Sequence, residues 1–258
     1  MAPKWQKLAD RLASQIRRGD LTPGQQLPHI RDLVAAGEGS KTTVHAAYKA
    51  LEAEGLVTSS RGHGTVVRPQ LPIKQLRIVG DQVVLREFTR DDVDAVLAII
   101  GDDTVTTWLS FDSRDRAQAV AMIDGTIERA RHEPRTEFYL GVTNHDDNRV
   151  LGFVRIGLSG VQAGKLGYAI AAAEWGRGYA TDAARTLIGY AFTELGLHRI
   201  SAAIGPENAA SIAMMEKLGF TREGVLRDHV FTNGSWRDSV LYSLLEHEWQ
   251  PQSGGGGR

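Results

Sequence analysis

The chain contains no cysteine. That excludes disulfides, thiolate metal sites and cysteine nucleophiles together, and with them any acyl-cysteine intermediate. Long apolar runs are also lacking. No stretch approaches the roughly 18–20 residues that cross a bilayer, and Met1-Ala-Pro-Lys-Trp-Gln-Lys7 has no apolar core of the kind a signal peptide carries. A cytoplasmic protein without membrane contact is expected. The eight histidines show no ligand spacing, so no metal site is expected. A nucleotide-binding Walker loop would need Gly-Lys-Ser/Thr, which is missing. Net charge is almost absent, at −1, but it is unevenly placed. Residues 1–70 hold ten Lys/Arg against six Asp/Glu, and the remainder holds twenty against twenty-five. A modestly basic first part favours a polyanion there.

What is present divides into two domains, which 258 residues are enough to build. Residues 1–70 form one unit. A Pro-containing linker over 71–76 follows, then a larger domain over 77–249, and a tail over 250–258 whose Gly/Ser composition is that of a flexible segment. In the first unit, Leu8, Ala9, Leu12, Ala13 and Ile16 make a helical stripe over 4–18. A short helix follows over about 30–36. Ser40 can cap a helix running to about Glu54, with Val44, Ala47, Tyr48 and Leu51 inward and Gly55 as its stop. Residues 56–60 and 65–68 flank Arg61-Gly-His-Gly64 as a hairpin. Three helices and a two-stranded wing make a winged helix-turn-helix. The start of the capped helix offers Ser40, Lys41, Thr42, Thr43 and His45 to base edges and phosphates, with Arg31 before it and Arg61 and His63 on the wing.

The runs L-T-P-G-Q-Q-L-P-H-I-R-D-L, G-S-K-T-T-V-H-A-A-Y-K-A-L-E-A-E-G-L-V and R-G-H-G-T-V-V resemble the DNA-binding head of the GntR regulators over residues 4–68. The resemblance implies that Arg31, Lys41, Thr42, Thr43, His45 and His63 face DNA, and that the chain works as a homodimer. The family usually has Ser-Glu or Ala-Glu at His29-Ile30 and often Arg at Lys41 and His45. Lysine or histidine in place of arginine loses bidentate reading of guanine.

The second domain alternates differently. Strands are expected over about 77–88, 136–143, 149–158, 165–171, 198–204, 223–232 and 236–245, with helices over 90–100, 114–131, 178–195 and 208–218. The fold class is therefore α+β, a mixed and largely antiparallel sheet flanked by helices. Trp175-Gly-Arg-Gly-Tyr-Ala-Thr181 stands between a strand and a long helix. A glycine turn there leaves N–H groups unpaired at the positive end of a helix, which is a site for a pyrophosphate. A dinucleotide site fits poorly, because residues 171–175 separate the turn from its strand and the next carboxylate, Glu207, lies too far on.

The motifs L-G-Y-A-I, W-G-R-G-Y-A-T-D-A-A, H-R-I-S-A-A-I, N-A-A-S-I-A-M-M-E-K-L-G-F and N-G-S-W-R-D are similar to the RimJ/RimL-like branch of the GNAT acyltransferases over about 77–249. The resemblance implies acetyl-CoA as cofactor and an amine as acceptor: a protein N-terminus, a lysine or a small molecule. It implies that the backbone of Gly176, Arg177, Gly178, Tyr179, Ala180 and Thr181 holds the CoA pyrophosphate, with the Arg177 side chain adding a contact. It further implies that Ala169, Ile170 and Ala171 pair with the pantetheine arm and polarise the thioester, and that Asn208 bonds that arm or a water. The tyrosine acid of many relatives falls at Met215, so the acid is Ser211, Tyr168 or solvent. The base is open among Glu137, Glu174, Asp228, His229 and a relayed water. Trp108 and Phe111 line an acceptor pocket or pack in the core. Two functions follow: an acetyltransferase joined to a DNA-binding head, or a regulator whose second domain senses acyl-CoA without turnover.

Overall fold

The structure, a computed structural model, describes residues 3–60, 64–68, 76–146 and 148–250. It divides into two compact units, Met1–Lys74 and Gln75–Arg258. The linker and tail expected from the sequence, and the wing residues Arg61 and His63, lie largely or wholly outside the described residues.

In the first unit, α1 (Lys4–Arg18) turns the expected stripe inward, and Gly19 ends it in the left-handed region at φ 81°. α2 (Ile30–Ala35) is one turn and a half. α3 (Lys41–Ala53) starts where Ser40 Oγ accepts the Thr43 N–H at 3.2 Å, and it buries Val44, Ala47, Tyr48 and Leu51. The Tyr48 hydroxyl donates to the Pro28 carbonyl at 2.6 Å, tying α3 to the entry of α2. Burial, with the nearby Asp32 charge, pushes that phenol up to about 12. β1 (Val57–Ser60) and β2 (Gly64–Val67) form the wing. Residues 24–27 unexpectedly run along β2, with Leu27 N–H on Thr65 O at 2.8 Å and Val67 N–H on Gln25 O at 2.9 Å. This close approach needs Gly64, where a Cβ would stand 2.1 Å from the Gln26 side chain.

The second unit is built on an eight-stranded sheet in the order β3-β4-β5-β6-β7-β8-β10-β9. Its strands are β3 (Arg77–Val79), β4 (Val83–Arg86), β5 (Glu137–Asn144), β6 (Val150–Leu158), β7 (Ala163–Ile170), β8 (Arg199–Ile204), β9 (Thr221–Thr232) and β10 (Ser235–Leu245). Every pairing is antiparallel except β7 with β8. Strand alternation sends Leu140, Val154, Ile156 and Leu166 to one face, against Ala184, Leu187 and Ile188 of α7 (Tyr179–Thr193). The other face carries Tyr139, Phe153 and Ala169 against α4 (Val93–Ile100) and α6 (Arg116–Arg129). Each of the larger fully buried aliphatic side chains contributes about 1.5–3 kcal/mol. α8 (Ala209–Lys217) buries Met214 and Met215.

One expectation is corrected and one element is added. The single strand over 77–88 is a hairpin, β3 and β4, because the chain turns at Gly80-Asp-Gln82. The buried carboxylate of Asp182, on α7, takes the N–H groups of Gln82 and Val83 at 2.8 and 3.1 Å and so fixes that turn. A four-residue helix, α5 (Asp103–Thr106), stands between the helices expected over 90–100 and 114–131, where no element was assigned, started by Asp102 Oδ1 on the Thr104 N–H at 2.8 Å.

Candidate active site

Strands β7 and β8 pair only through Ala163, Gly164 and Lys165. Beyond Lys165 they part, while β7 stays paired with β6 as far as Ile170. One edge of β7 is thus open at the middle of the sheet. A cleft of about 820 Å³ passes through this gap, from the start of α7 to an aromatic chamber bounded by Trp108, Phe111, Tyr139 and Phe153.

At the α7 end, Gly176 and Gly178 take φ 78° and 84°. These left-handed conformations favour glycine and turn the chain so that its amides point outward. The first helical bond runs from Asp182 N–H to Gly178 O. The N–H groups of Gly176, Arg177, Gly178, Tyr179, Ala180 and Thr181 have no hydrogen-bond acceptor among the described residues. Six consecutive free donors at a helix start, adding to a dipole end worth about half a positive charge, suit a diphosphate. The residues present therefore fit a cofactor of the coenzyme A kind.

The Arg177 side chain does not join them. It lies 3.2 Å from Glu174, whose other oxygen accepts from Arg149 at 3.0 Å, and it is not part of the cleft wall. In this structure the Arg177 side chain is in an ion pair that braces the turn. Trp175 is half-exposed, and its indole N–H donates to Ile170 O at 2.8 Å.

On β7 the expected backbone contacts narrow. The Ala171 N–H already donates to Leu151 O at 2.8 Å, so it is not available to a ligand. By strand alternation Ala169 also faces β6, leaving Tyr168 and Ile170 turned to the gap. Tyr168 packs its ring on the α7 side, and its buried hydroxyl has no hydrogen-bond partner among the described residues. Burial pushes this phenol up to about 12. The Ser211 hydroxyl is close enough to oppose part of that rise without making a hydrogen bond to it.

Asn208 caps α8, its Oδ1 accepting the Ser211 N–H at 3.1 Å, and both residues line the cleft. The amide nitrogen of Asn208 makes no hydrogen bond among the described residues. Met215 is fully buried and not part of the wall, so its helix position offers the cleft no group at all.

Among the four base candidates, Glu137 is held by Arg129 at 2.8 Å and does not line the cleft. Glu174 lines it but is paired as above. Asp228, at φ 48°, sits on a bulge with its N–H on Asp238 Oδ1 at 2.9 Å, and it too is off the wall. The bulge turns the next residue, His229, into the cleft, with Nδ1 on Ser239 Oγ at 3.0 Å.

Sequence reasoning missed four contributors. Tyr139 and Phe153 were read only as strand residues. Arg155 lies against Gly167 of β7 and reaches the wall. Arg237 donates to Thr107 O and Leu109 O at 2.6 and 2.9 Å, holding the segment that carries Trp108 and Phe111 to the β9–β10 hairpin. Trp236 is exposed and packs edge-on against Phe231.

In the first unit, Arg31, Lys41, Thr42 and His45 are exposed as expected of a contact surface. Ser40 and Thr43 differ, since their hydroxyls bond each other at 2.9 Å within the cap. Their first role is to start α3.

Residues 82–221 match the family described as acetyltransferase (GNAT) domain, and residues 4–67 match the bacterial regulatory proteins of the gntR family. An uncharacterized HTH-type transcriptional regulator of Streptomyces coelicolor is 73% identical over 77 residues, which are 30% of this chain and 29% of that protein. The chain thus spans less than a third of that relative. An uncharacterized N-acetyltransferase of Bacillus licheniformis is 31% identical over 172 residues, 66% of this chain and 96% of that one. The solved structure of Mycobacterium smegmatis RimJ in complex with CoA-disulfide superposes with a TM-score of 0.59 at 25% identity, covering 67% of this chain and 88% of that one. A phosphate-type loop at α7, a parted pair of parallel strands and these likenesses agree: the chain belongs to the GNAT acetyltransferase family and carries a gntR-family winged helix-turn-helix at its front.

Proposed function

We propose that the chain is an acetyl-CoA-dependent N-acetyltransferase acting by direct transfer in a ternary complex, joined to a domain that binds DNA. The observation that carries this reading is the run of free N–H groups from Gly176 to Thr181 at the head of a cleft that opens through the sheet. When bound, acetyl-CoA supplies a thioester carbonyl as electrophile and a thiolate as leaving group.

The chain's own residues do the rest. The loop amides hold the diphosphate. Tyr168 and Ile170 offer main-chain groups on the open edge of β7, where an N–H donor strengthens as charge builds on the carbonyl oxygen. The Asn208 amide nitrogen holds the arm or an ordered water. His229, oriented by Ser239, accepts the proton the amine must lose. The new N–C bond forms as the C–S bond breaks. The protonated Tyr168 phenol, beside Ser211, supplies the thiolate with its proton. Tyr139, Phe153 and Trp108 keep water from the acyl group. DNA is read by Lys41, Thr42 and His45 with Arg31 on the backbone, and the homodimer expected of the head would present two such helices.

The test is CoA release by the full chain against a panel of amines. Turnover on an amine supports the enzyme. Tight acetyl-CoA binding without turnover, together with DNA affinity that changes with acetyl-CoA, overturns it in favour of a sensing regulator.

A further inference from the structure

We infer that the acceptor is a small primary amine carrying an anionic group, a carboxylate or a phosphate, within a few bonds of its nitrogen, and that Arg155 and Lys165 read that group. The inference rests on the proposed transferase reading and names its substrate class. Its basis is an arrangement of charge on the acceptor side of the sheet. Arg155 and Gly167 are cross-strand partners, as are Gly157 and Lys165. Both glycines lack the side chain that would keep Arg155 upright. A Cβ on Gly167 would stand 3.3 Å from Arg155 Cγ, and one on Gly157 would stand 3.3 Å from Arg155 Nη2. The guanidinium therefore reaches over Gly157, the cross-strand partner of Lys165. Arg155 and Lys165 are thus diagonal neighbours across the ladder, a separation of about 7–8 Å that long side chains span, and like charges so placed repel.

Little neutralises the pair. Glu137 is 3.4 Å from Arg155 Nε, but Arg129 holds the same carboxylate at 2.8 Å. Lys165 is exposed and has no ion pair among the described residues. The wall's two carboxylates, Glu174 and Glu207, stand at the other end, before the α7 loop and before Asn208. On the wall itself His229 is the remaining titratable side chain besides the tyrosines, and behind it Arg114 adds a further cation 4.1 Å over the Phe111 ring. Two adjacent cations facing an aromatic chamber, with one shared carboxylate behind them, form a receptor for an anion. They repel a polyamine.

The test uses the full chain saturated with CoA, titrated calorimetrically with matched amines: L-tryptophan against tryptamine, and O-phosphoethanolamine against ethanolamine, with spermidine as the polycation. CoA release is measured with acetyl-CoA on the same set. The expected result is at least tenfold tighter binding of the anionic member in one pair, with the same preference in kcat/KM. Carboxylate and phosphate are told apart by which pair shows it. Arg155→Gln and Lys165→Gln are each expected to collapse the preference toward unity, and Arg155→Lys to keep part of it. Equal or tighter binding of the neutral twins or of spermidine overturns the inference, as does no binding by either anionic amine. Turnover without preference sinks the inference and leaves the transferase standing. Preferential binding that both Gln variants abolish, with no turnover on any amine, does the reverse.

Discussion

The side-chain carbonyl of Asn208 accepts the backbone N–H of Ser211 at 3.1 Å, so the residue that starts α8 also forms part of the cleft wall. In the proposed reading its two side-chain atoms have separable duties, one for the helix and one for a ligand. Asn208→Asp keeps an acceptor for the cap and loses the donor. It should leave the melting temperature nearly unchanged and raise KM for acetyl-CoA. Asn208→Ala loses both, and denaturation should show about 1 kcal/mol less stability.

Tyr168 is the phenol placed where the expected tyrosine helix position offers only Met215. Because burial pushes it up to about 12, it is protonated throughout the neutral and mildly alkaline range. The kcat of the wild type should hold its plateau on the alkaline side to at least pH 10. Tyr168→Phe should lower kcat by about 10²-fold, the scale of general acid catalysis, with acetyl-CoA affinity retained. Equal kcat in the two proteins would remove Tyr168 as the acid.

Arg237 binds two carbonyls of the segment that carries the acceptor-side aromatics. It touches no reacting atom and acts as a positioning residue. Arg237→Met should raise KM for the amine about tenfold with a smaller fall in kcat, and Arg237→Lys should recover part of it. A fall in kcat alone would show that the segment keeps its place without this tether.

Asp92 supplies an acid-sensitive brace near the start of α4. Burial pushes its carboxyl up, but hydrogen bonds from Arg86, the Thr89 N–H at 2.7 Å and the Arg86 charge together hold it below the usual carboxylate range. A carboxyl lowered in the folded state stabilises fully above its unfolded value of about 3.9, and this is lost as pH falls below that. Acid titration of Asp92→Asn should therefore show a shallower loss of stability below about pH 4. Arg86→Met, which leaves the carboxylate buried and unpaired, should cost about 3–5 kcal/mol at neutral pH.

Much of this was legible in local pattern. The Ser40 cap, the long amphipathic helix after the glycine turn and the Asn233-Gly234 hairpin depend on neighbours in sequence, and each stands where local rules put it. The failures depend on distant partners. The turn at Gly80 is hidden by apolar alternation that continues across it, and its cause is Asp182, a hundred residues away. The opening of β7 from β8 leaves no mark in either strand's composition. Arg177 carries the right charge beside the right loop, and only Glu174 decides where it points. His229 separates from the other base candidates only through the bulge at Asp228.

The central claim, that main-chain amides at the start of α7 hold the cofactor diphosphate, is tested most directly by amide NMR of ¹⁵N-labelled protein titrated with acetyl-CoA. The account predicts that the signals of Gly176, Gly178, Tyr179 and Thr181 move together and saturate at one stoichiometric site. It also predicts that Gly178→Pro, which cannot adopt the φ of 84° seen there, abolishes the binding. Saturable acetyl-CoA binding that leaves these amides unmoved, or an undiminished affinity in Gly178→Pro, would contradict it.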